Sequence, residues 1–272
     1  QGEVVLQPAR LVVLAAAVAY NPAILLNSVS KFHPKGIGNR QDLVGRYFMT
    51  HPASFVTGMF KEETQPHVGI THGNLFCQEG YGKDDERPGF GSYQWVIGSV
   101  MKPSDITGLA MSRPDLMGAK LEAFMQQAVK HMGAMFGMAE ELPDYDNRIE
   151  LVEEADAWGF RRPRIVHRFT DNTEQVVGGM IDEGLGVFRA AGCEEPRYQR
   201  ITTHVLGGTI MGRSAADSVC DSYGRVHEMR NVFLAGSGLY PTGGAANPTF
   251  TIHALGLRSI DHINNHWQDY AG

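Results

Sequence analysis

The stretch NVFLAGSGLYPTGGAANPTFTIHALGLRSIDHI, residues 231–263, decides how this chain is read. VFLAG has the composition of a buried parallel strand, and it runs into Gly236-Ser237-Gly238, where bare backbone can lie close to another surface. The chain then turns at Pro241 and Gly243-Gly244 and enters an amphipathic run at Asn247-Pro248. A helix starting there offers unpaired N–H groups and about half a positive charge, which suits an anion or an electron-rich ring carbonyl. A plain strand–turn–helix with Asn247 as N-cap uses the same residues equally well, and both readings stay open on this stretch alone.

The same grammar occurs near the amino end. RLVVL (10–14) is a short apolar run of the buried parallel type, AAAVAY follows, and NPAILLNS reads as a helix opened by Pro22 in its first turn. Strand, small-residue turn and helix form the local pattern of a doubly wound nucleotide-binding sheet. HPKGIGNRQDLVGRYFMTHP (33–52) reads as a structured loop.

Between 53 and 200 the texture changes. SFVTGMF and SYQWVIGSVM are strand-like, while KEETQPHVG and EGYGKDDERPGFG are turn-rich connections. From Asp115 to about Glu141, Leu121, Phe124, Met125, Ala128, Met132, Met135 and Phe136 recur at helical spacing, which predicts one Met-rich helix facing a core or a partner. RIEL and RIVHRF read as strands, and DNTEQVVGGMIDEGLGVFRAAG as a helix with an Asn/Asp cap and a stop at Gly192. From 201 onward THVLGGTIMG reads as a Gly-rich turn, followed by short strands and a closing helix from Pro248 to about His266. The expected organisation is an α/β, Rossmann-like portion made of residues 1–52 and 201–272. It brackets an α+β domain, residues 53–200, built on an antiparallel sheet.

Composition narrows the function classes. The chain has 272 residues, 43% hydrophobic and 20% charged, enough for one large domain or two ordinary ones. A net charge of −6, with no basic block, argues against nucleic-acid binding. Cys77, Cys193 and Cys220 match no zinc or redox spacing, and their odd count argues against a disulfide framework. No apolar run approaches the roughly 18 residues of a spanning helix. The first residues, QGEVVLQPARLVVLAAAVAY, show no initiator Met, charged n-region or cleavage site, so the chain is expected to be the C-terminal part of something longer.

His204, three residues before Gly207, is the side chain best placed for chemistry: a glycine turn can hold backbone against a flat ligand and leave the imidazole facing a cavity. The other histidines take structural readings. His51 in FMTHP is expected to support a loop, and His253 to pack inside the last helix. His262 and His266, four apart beside Asp261, have a spacing that could ligate a metal, but they lie at a polar helix end and are read as a solvated face; no metal site is expected. RRPR (161–164) reads as a solvated edge.

Together, ARLVVLAAAVAYNPAILLNS, IGNRQDLVGRYFMTHP, THVLGGTIMG and the 231–263 stretch resemble the C-terminal half of a glucose-methanol-choline (GMC) flavin oxidoreductase, and within that family the bacterial sugar and polyol dehydrogenases. The resemblance implies FAD as cofactor and oxidation of a CH–OH group, with the hydride passing to flavin N5. His204 would be the base that takes the substrate hydroxyl proton, and Asn247, in a position that is His or Asn in the family, would hold the substrate oxygen. Ala16, Ala17, Gly236, Ser237, Pro248 and Thr249 would lie against the cofactor. Gly236 stands where many members carry Asp, and Ala17 where the family usually has Gly, which leaves less room. The resemblance further implies a small-molecule alcohol or sugar substrate, a quinone or cytochrome electron acceptor, sometimes a small subunit, and a periplasmic setting for many members. No G-x-G-x-x-G follows a strand, and GIGNRQ lacks the third Gly, so the N-terminal FAD fingerprint is expected to be missing and the site half built. Two other readings remain: an oxidase of the same family using O2, and a non-catalytic fragment that does not hold FAD.

Overall fold

The computed structural model describes residues 5–69, 75–82, 86–97 and 101–271. In chain order its elements are β1 (Val12–Leu14), α1 (Ala17–Asn27), β2 (Met49–Met59), β3 (Leu75–Cys77), a 3-10 turn (Glu79–Tyr81), β4 (Tyr93–Ile97), α2 (Pro103–Met111), α3 (Ala119–His131), β5 (Met132–Ala139), β6 (Arg148–Ala155), β7 (Arg161–Val166), α4 (Asp171–Ala190), β8 (Arg197–Leu206), β9 (Val232–Leu234), a second 3-10 turn (Ser237–Leu239), α5 (Thr249–Asn265) and α6 (Trp267–Ala271). Residues 98–100 of SYQWVIGSVM and 83–85 of EGYGKDDERPGFG lie outside the described residues.

Two sheets matter for the site. β1 and β9 pair in parallel, Val12 to Val232 through Leu14 to Leu234. β3-β4-β5-β2-β8 form an antiparallel sheet in that order. A buried cluster of Trp95, Met135, Val176, Val177, Met180 and Phe188 fills the space between this sheet and α4. Glycine shapes it at one contact: a Cβ on Gly184 of α4 would lie 2.5 Å from the Trp95 ring, and one on Gly137 of β5 would lie 2.7 Å from it. The mixed α/β architecture with an antiparallel sheet agrees with the sequence reading at that level.

Several expectations are corrected. The helix predicted from Asp115 to Glu141 ends at His131, and Met132–Ala139 is instead β5, paired on both sides, with Val96 facing Phe136 and Phe55 facing Phe136 from the other strand. Met132, Met135 and Phe136 fit a helical spacing, but Gly133 and Gly137 weaken a helix and admit the Phe60 and Trp95 rings against a strand. THVLGGTIMG is a turn only from Gly207; His204 to Leu206 continue β8. The loop 33–52 likewise gives way to β2 at Met49. Pro22 lies inside α1, which starts at Ala17, and α4 is capped by Thr170, whose hydroxyl accepts from the Thr173 N–H, rather than by Asn or Asp. β1 is parallel as expected but open to solvent, with Val12 and Val13 38% and 50% exposed, because β9 is its only strand neighbour among the described residues. The short helix α2 carried no periodic signal strong enough to be read.

Candidate active site

The site forms where β2, β8 and the turn before α5 converge. β2 and β8 stay in register from Thr57–Arg197 to His51–Thr203, and then Met49 faces Leu206. Thr50 alone therefore stands opposite two residues, His204 and Val205, which makes a β-bulge that redirects a side chain. His204 is the bulged residue and takes a left-handed backbone, φ +53°, rare for a residue with a Cβ. Its imidazole turns onto His51: the two Nδ1 atoms are 3.0 Å apart and the rings meet edge to face at 82°. His51 is fully buried, and its Nε2 lies 3.3 Å from the Gly243 carbonyl oxygen.

The glycine turn after β8 is clamped on both sides. Gly45 N–H donates to the Gly208 carbonyl, and the Gly207 and Thr209 N–H groups donate to the carbonyls of Ser237 and Gly238. A Cβ on Gly207, at φ +76°, would fall 1.9 Å from the Tyr47 carbonyl oxygen, so no other residue fits. Under the turn the buried Thr209 hydroxyl has no hydrogen-bond partner among the described residues.

The expected cofactor-side residues gather around the ends of β1 and β9. Asn21, buried in α1, accepts from the Ala16 N–H and donates to the Ala235 carbonyl, tying the two strand ends together. Ala17 has φ +68°, a conformation that glycine enters freely and that costs an alanine roughly 1–2 kcal/mol. Gly236, at φ +106°, has open space where a Cβ would project, and the Ser237 hydroxyl donates to the Val205 carbonyl. The Tyr240 hydroxyl donates to the Pro248 carbonyl and fixes the first turn of α5. Pro248, not Asn247, is the N-cap, and no side chain caps the helix. Asn247 and Thr249 are exposed, and Asn247 has no hydrogen-bond partner among the described residues.

The structure thus brings His204 to the Gly243-Gly244 turn through His51, while no hydrogen bond joins His204 to Asn247. His51 was expected only to support a loop; it sits in a strand and holds His204. No spacing rule could show this, because the two histidines are 153 residues apart. Tyr81 also borders the site, its hydroxyl 3.4 Å from where a Cβ on Gly244 would lie. His253 is exposed on α5 rather than packed. While His266 is exposed, His262 is half-buried, stacked on Tyr223 at 3.7 Å and bonded to the Tyr270 hydroxyl at 2.6 Å. Its stacking reflects an aromatic partner that the helix pattern does not display. Among the described residues no group of three or more His, Cys, Asp or Glu is placed to hold a metal.

Burial disfavours the charged form of both histidines. Burial, then repulsion from His204, brings His51 down from 6.5 to about 4, against the opposing pull of Glu140 and the Gly243 and Gly244 backbone. Burial likewise lowers His204. Because the unfolded chain protonates His51 near 6.5 and the folded chain only near 4, stability falls as pH drops through that window, by up to about 1.4 kcal/mol per pH unit. Urea melts across this range should show a shallower pH slope for His51→Asn than for the wild type; equal slopes would contradict the assignment.

A histidine pair held by β2 and β8 of the antiparallel sheet, set against the turn that leads into α5, marks the candidate site of a mixed α/β chain. Residues 101–256 match the family model for GMC oxidoreductase, and the chain belongs to that family. It is 29% identical to the fructose dehydrogenase large subunit of Gluconobacter japonicus over 94% of this chain and 47% of the relative. It is 27% identical to the 2-methyl-1,2-propanediol dehydrogenase of Mycolicibacterium austroafricanum over 96% of this chain and 49% of the relative. Its fold is similar to the crystal structure of pyridoxine 4-oxidase from Mesorbium loti, with a TM-score of 0.63 and 12% identity over 94% of this chain and 52% of that one. The chain spans about half the length of the curated relatives it matches. As a family, GMC oxidoreductases bind FAD.

Proposed function

We propose that the chain is the catalytic portion of an FAD-dependent dehydrogenase that oxidises a CH–OH group of a sugar or polyol. The observation that carries this reading is His204, an imidazole whose charged form burial disfavours, buttressed through one ring nitrogen and with no partner on the other among the described residues, together with a helix α5 whose start no side chain caps. The names of the two relatives, a fructose and a propanediol dehydrogenase, favour the substrate class. The residues present fit a flat, electron-rich ring: open space at Gly236, the uncapped N–H groups of the first turn of α5, and the Thr209 hydroxyl beneath the glycine turn, unpartnered among the described residues. Ala16, Ala17, Gly236, Ser237, Pro248 and Thr249 would hold it. When bound, FAD supplies the hydride acceptor.

The remaining chemistry belongs to the chain. His204 Nε2 takes the hydroxyl proton, a step that requires the neutral imidazole. Asn247, whose amide is not spent on capping, holds the substrate oxygen and so aims the C–H bond. Residues 1–52 and 201–272 form the flavin part and 53–200 the substrate part, with β2 and β8 passing between them. A quinone or cytochrome acceptor and a small subunit complete the assembly; the "large subunit" in one relative's name favours the latter.

The test is spectroscopic. The intact protein should carry a visible flavin band that bleaches when sugars or polyols are added without oxygen, and should then reduce a dye rather than release peroxide. Peroxide release would make it an oxidase; a colourless protein that does not take up added FAD would overturn the reading.

A further inference from the structure

Resting on the reading of His204 as the base, we propose that His51 is a positioning residue that fixes the tautomer of His204, so that Nε2 and not Nδ1 presents the lone pair to the substrate. The geometry follows from what each atom can do. The Gly243 carbonyl oxygen can only accept, so the His51 Nε2 beside it, 3.3 Å away, carries the hydrogen. A neutral His51 then has a bare Nδ1, which accepts. The atom 3.0 Å from it, Nδ1 of His204, must be the donor. With its proton on Nδ1, a neutral His204 has its lone pair on Nε2, and no protein group occupies that nitrogen among the described residues. The chain of donors thus runs from His204 to His51 to the Gly243 carbonyl, and one backbone oxygen sets the tautomer two rings away.

The arrangement also suits the charged form. When Nε2 of His204 gains a proton, Nδ1–H remains a donor and still meets an acceptor, so proton uptake needs no rearrangement. The burial of His51 keeps its Nδ1 an acceptor at neutral pH, and Glu140 and the Gly244 backbone, which also face it, are not strong enough to reverse this. The β-bulge explains why a strained backbone is retained at His204: only there does the ring reach His51.

Two measurements on the FAD-loaded intact protein test the proposal, one of them independent of turnover. With 15N-labelled histidine, long-range proton–nitrogen spectra should show His204 as the Nδ1–H tautomer in the wild type and in His51→Asn, whose side-chain oxygen can stand in for Nδ1. In His51→Ala the Nε2–H form should appear. A wild-type His204 in the Nε2–H form would overturn the proposal whatever the reaction turns out to be. In kinetics, His51→Ala should lower kcat on the order of 10- to 100-fold with KM little changed, and His51→Asn should restore it to within a few-fold. If His204→Asn abolishes turnover while His51→Ala leaves kcat unchanged, the positioning role is wrong and the base assignment survives. If neither change affects kcat but the tautomer behaves as stated, the base assignment fails and the positioning survives. Loss of the folded protein in both His51 variants, with His51→Asn failing to restore the wild-type spectrum, would reduce His51 to a packing residue and overturn the proposal.

Discussion

His204→Asn lowers kcat/KM for the alcohol by about 10²–10⁴-fold, the range over which a positioned base contributes. Asparagine is the informative replacement because it tolerates a left-handed backbone better than most residues with a Cβ, and the position requires φ near +53°. The bulge opposite Thr50 is therefore kept, and only the imidazole is lost. Alanine removes the base too but sits less comfortably at that φ, so a larger fall for alanine than for asparagine measures backbone strain separately from chemistry. The acid limb of the wild-type kcat/KM profile should lie below 6.5, because burial lowers His204, and it should vanish in the variant. Stopped-flow flavin reduction under anaerobic conditions checks both points. Turnover within a few-fold of the wild type in His204→Asn would remove His204 from the chemistry.

Local order was legible where neighbouring residues carry it. The VFLAG strand, the turn at Gly243-Gly244 and the helix after Pro248 are short-range features of small residues and periodicity, and they lie at Val232–Leu234 and Thr249–Asn265. The parallel partner of that strand, Val12–Leu14, follows from the same pattern. What failed was decided by distant contacts. Met132–Ala139 satisfies a helical spacing in isolation, yet it is a strand because Val96 and Phe55 stand on its two sides. The stretch Arg197–Leu206 has little apolar alternation; among the described residues β2 is its only strand neighbour, at the sheet edge. In the site, His204 was legible from its glycine turn. Its dependence on His51 was not, because a bulge shifts the register by one residue and no residue pattern announces it.

Glu141 provides the second large effect. It follows β5, is 1% exposed, and accepts four hydrogen bonds: the Thr50 N–H at 2.7 Å and hydroxyl at 3.0 Å on one oxygen, and Asn147 Nδ2 at 3.0 Å and His167 Nε2 at 2.8 Å on the other. Asn147 in turn exchanges hydrogen bonds with the backbone of Arg168. One carboxylate therefore knots the start of β2 to the chain entering β6 and leaving β7. Glu141→Ala strands these donors out of water, and each buried donor left unsatisfied costs about 1–3 kcal/mol, so several together cost on the order of 3–5 kcal/mol. In a chain of this size that lowers Tm by roughly 10 °C. Glu154 offers the contrast. It pairs with Arg162 at 3.0 Å, but both side chains are more than half exposed, 74% and 58%, and such pairs contribute about 0–1 kcal/mol. Glu154→Ala should leave Tm nearly unchanged. The difference reaches the site, because Thr50 is the residue facing the His204 bulge and the neighbour of His51. Among Glu141→Ala molecules that remain folded and flavin-loaded, kcat should fall while the Glu154→Ala rate matches the wild type. Thermal melts and anaerobic reduction rates of the two variants, measured side by side, decide the matter: if they coincide, Glu141 does not anchor the strand that carries the site.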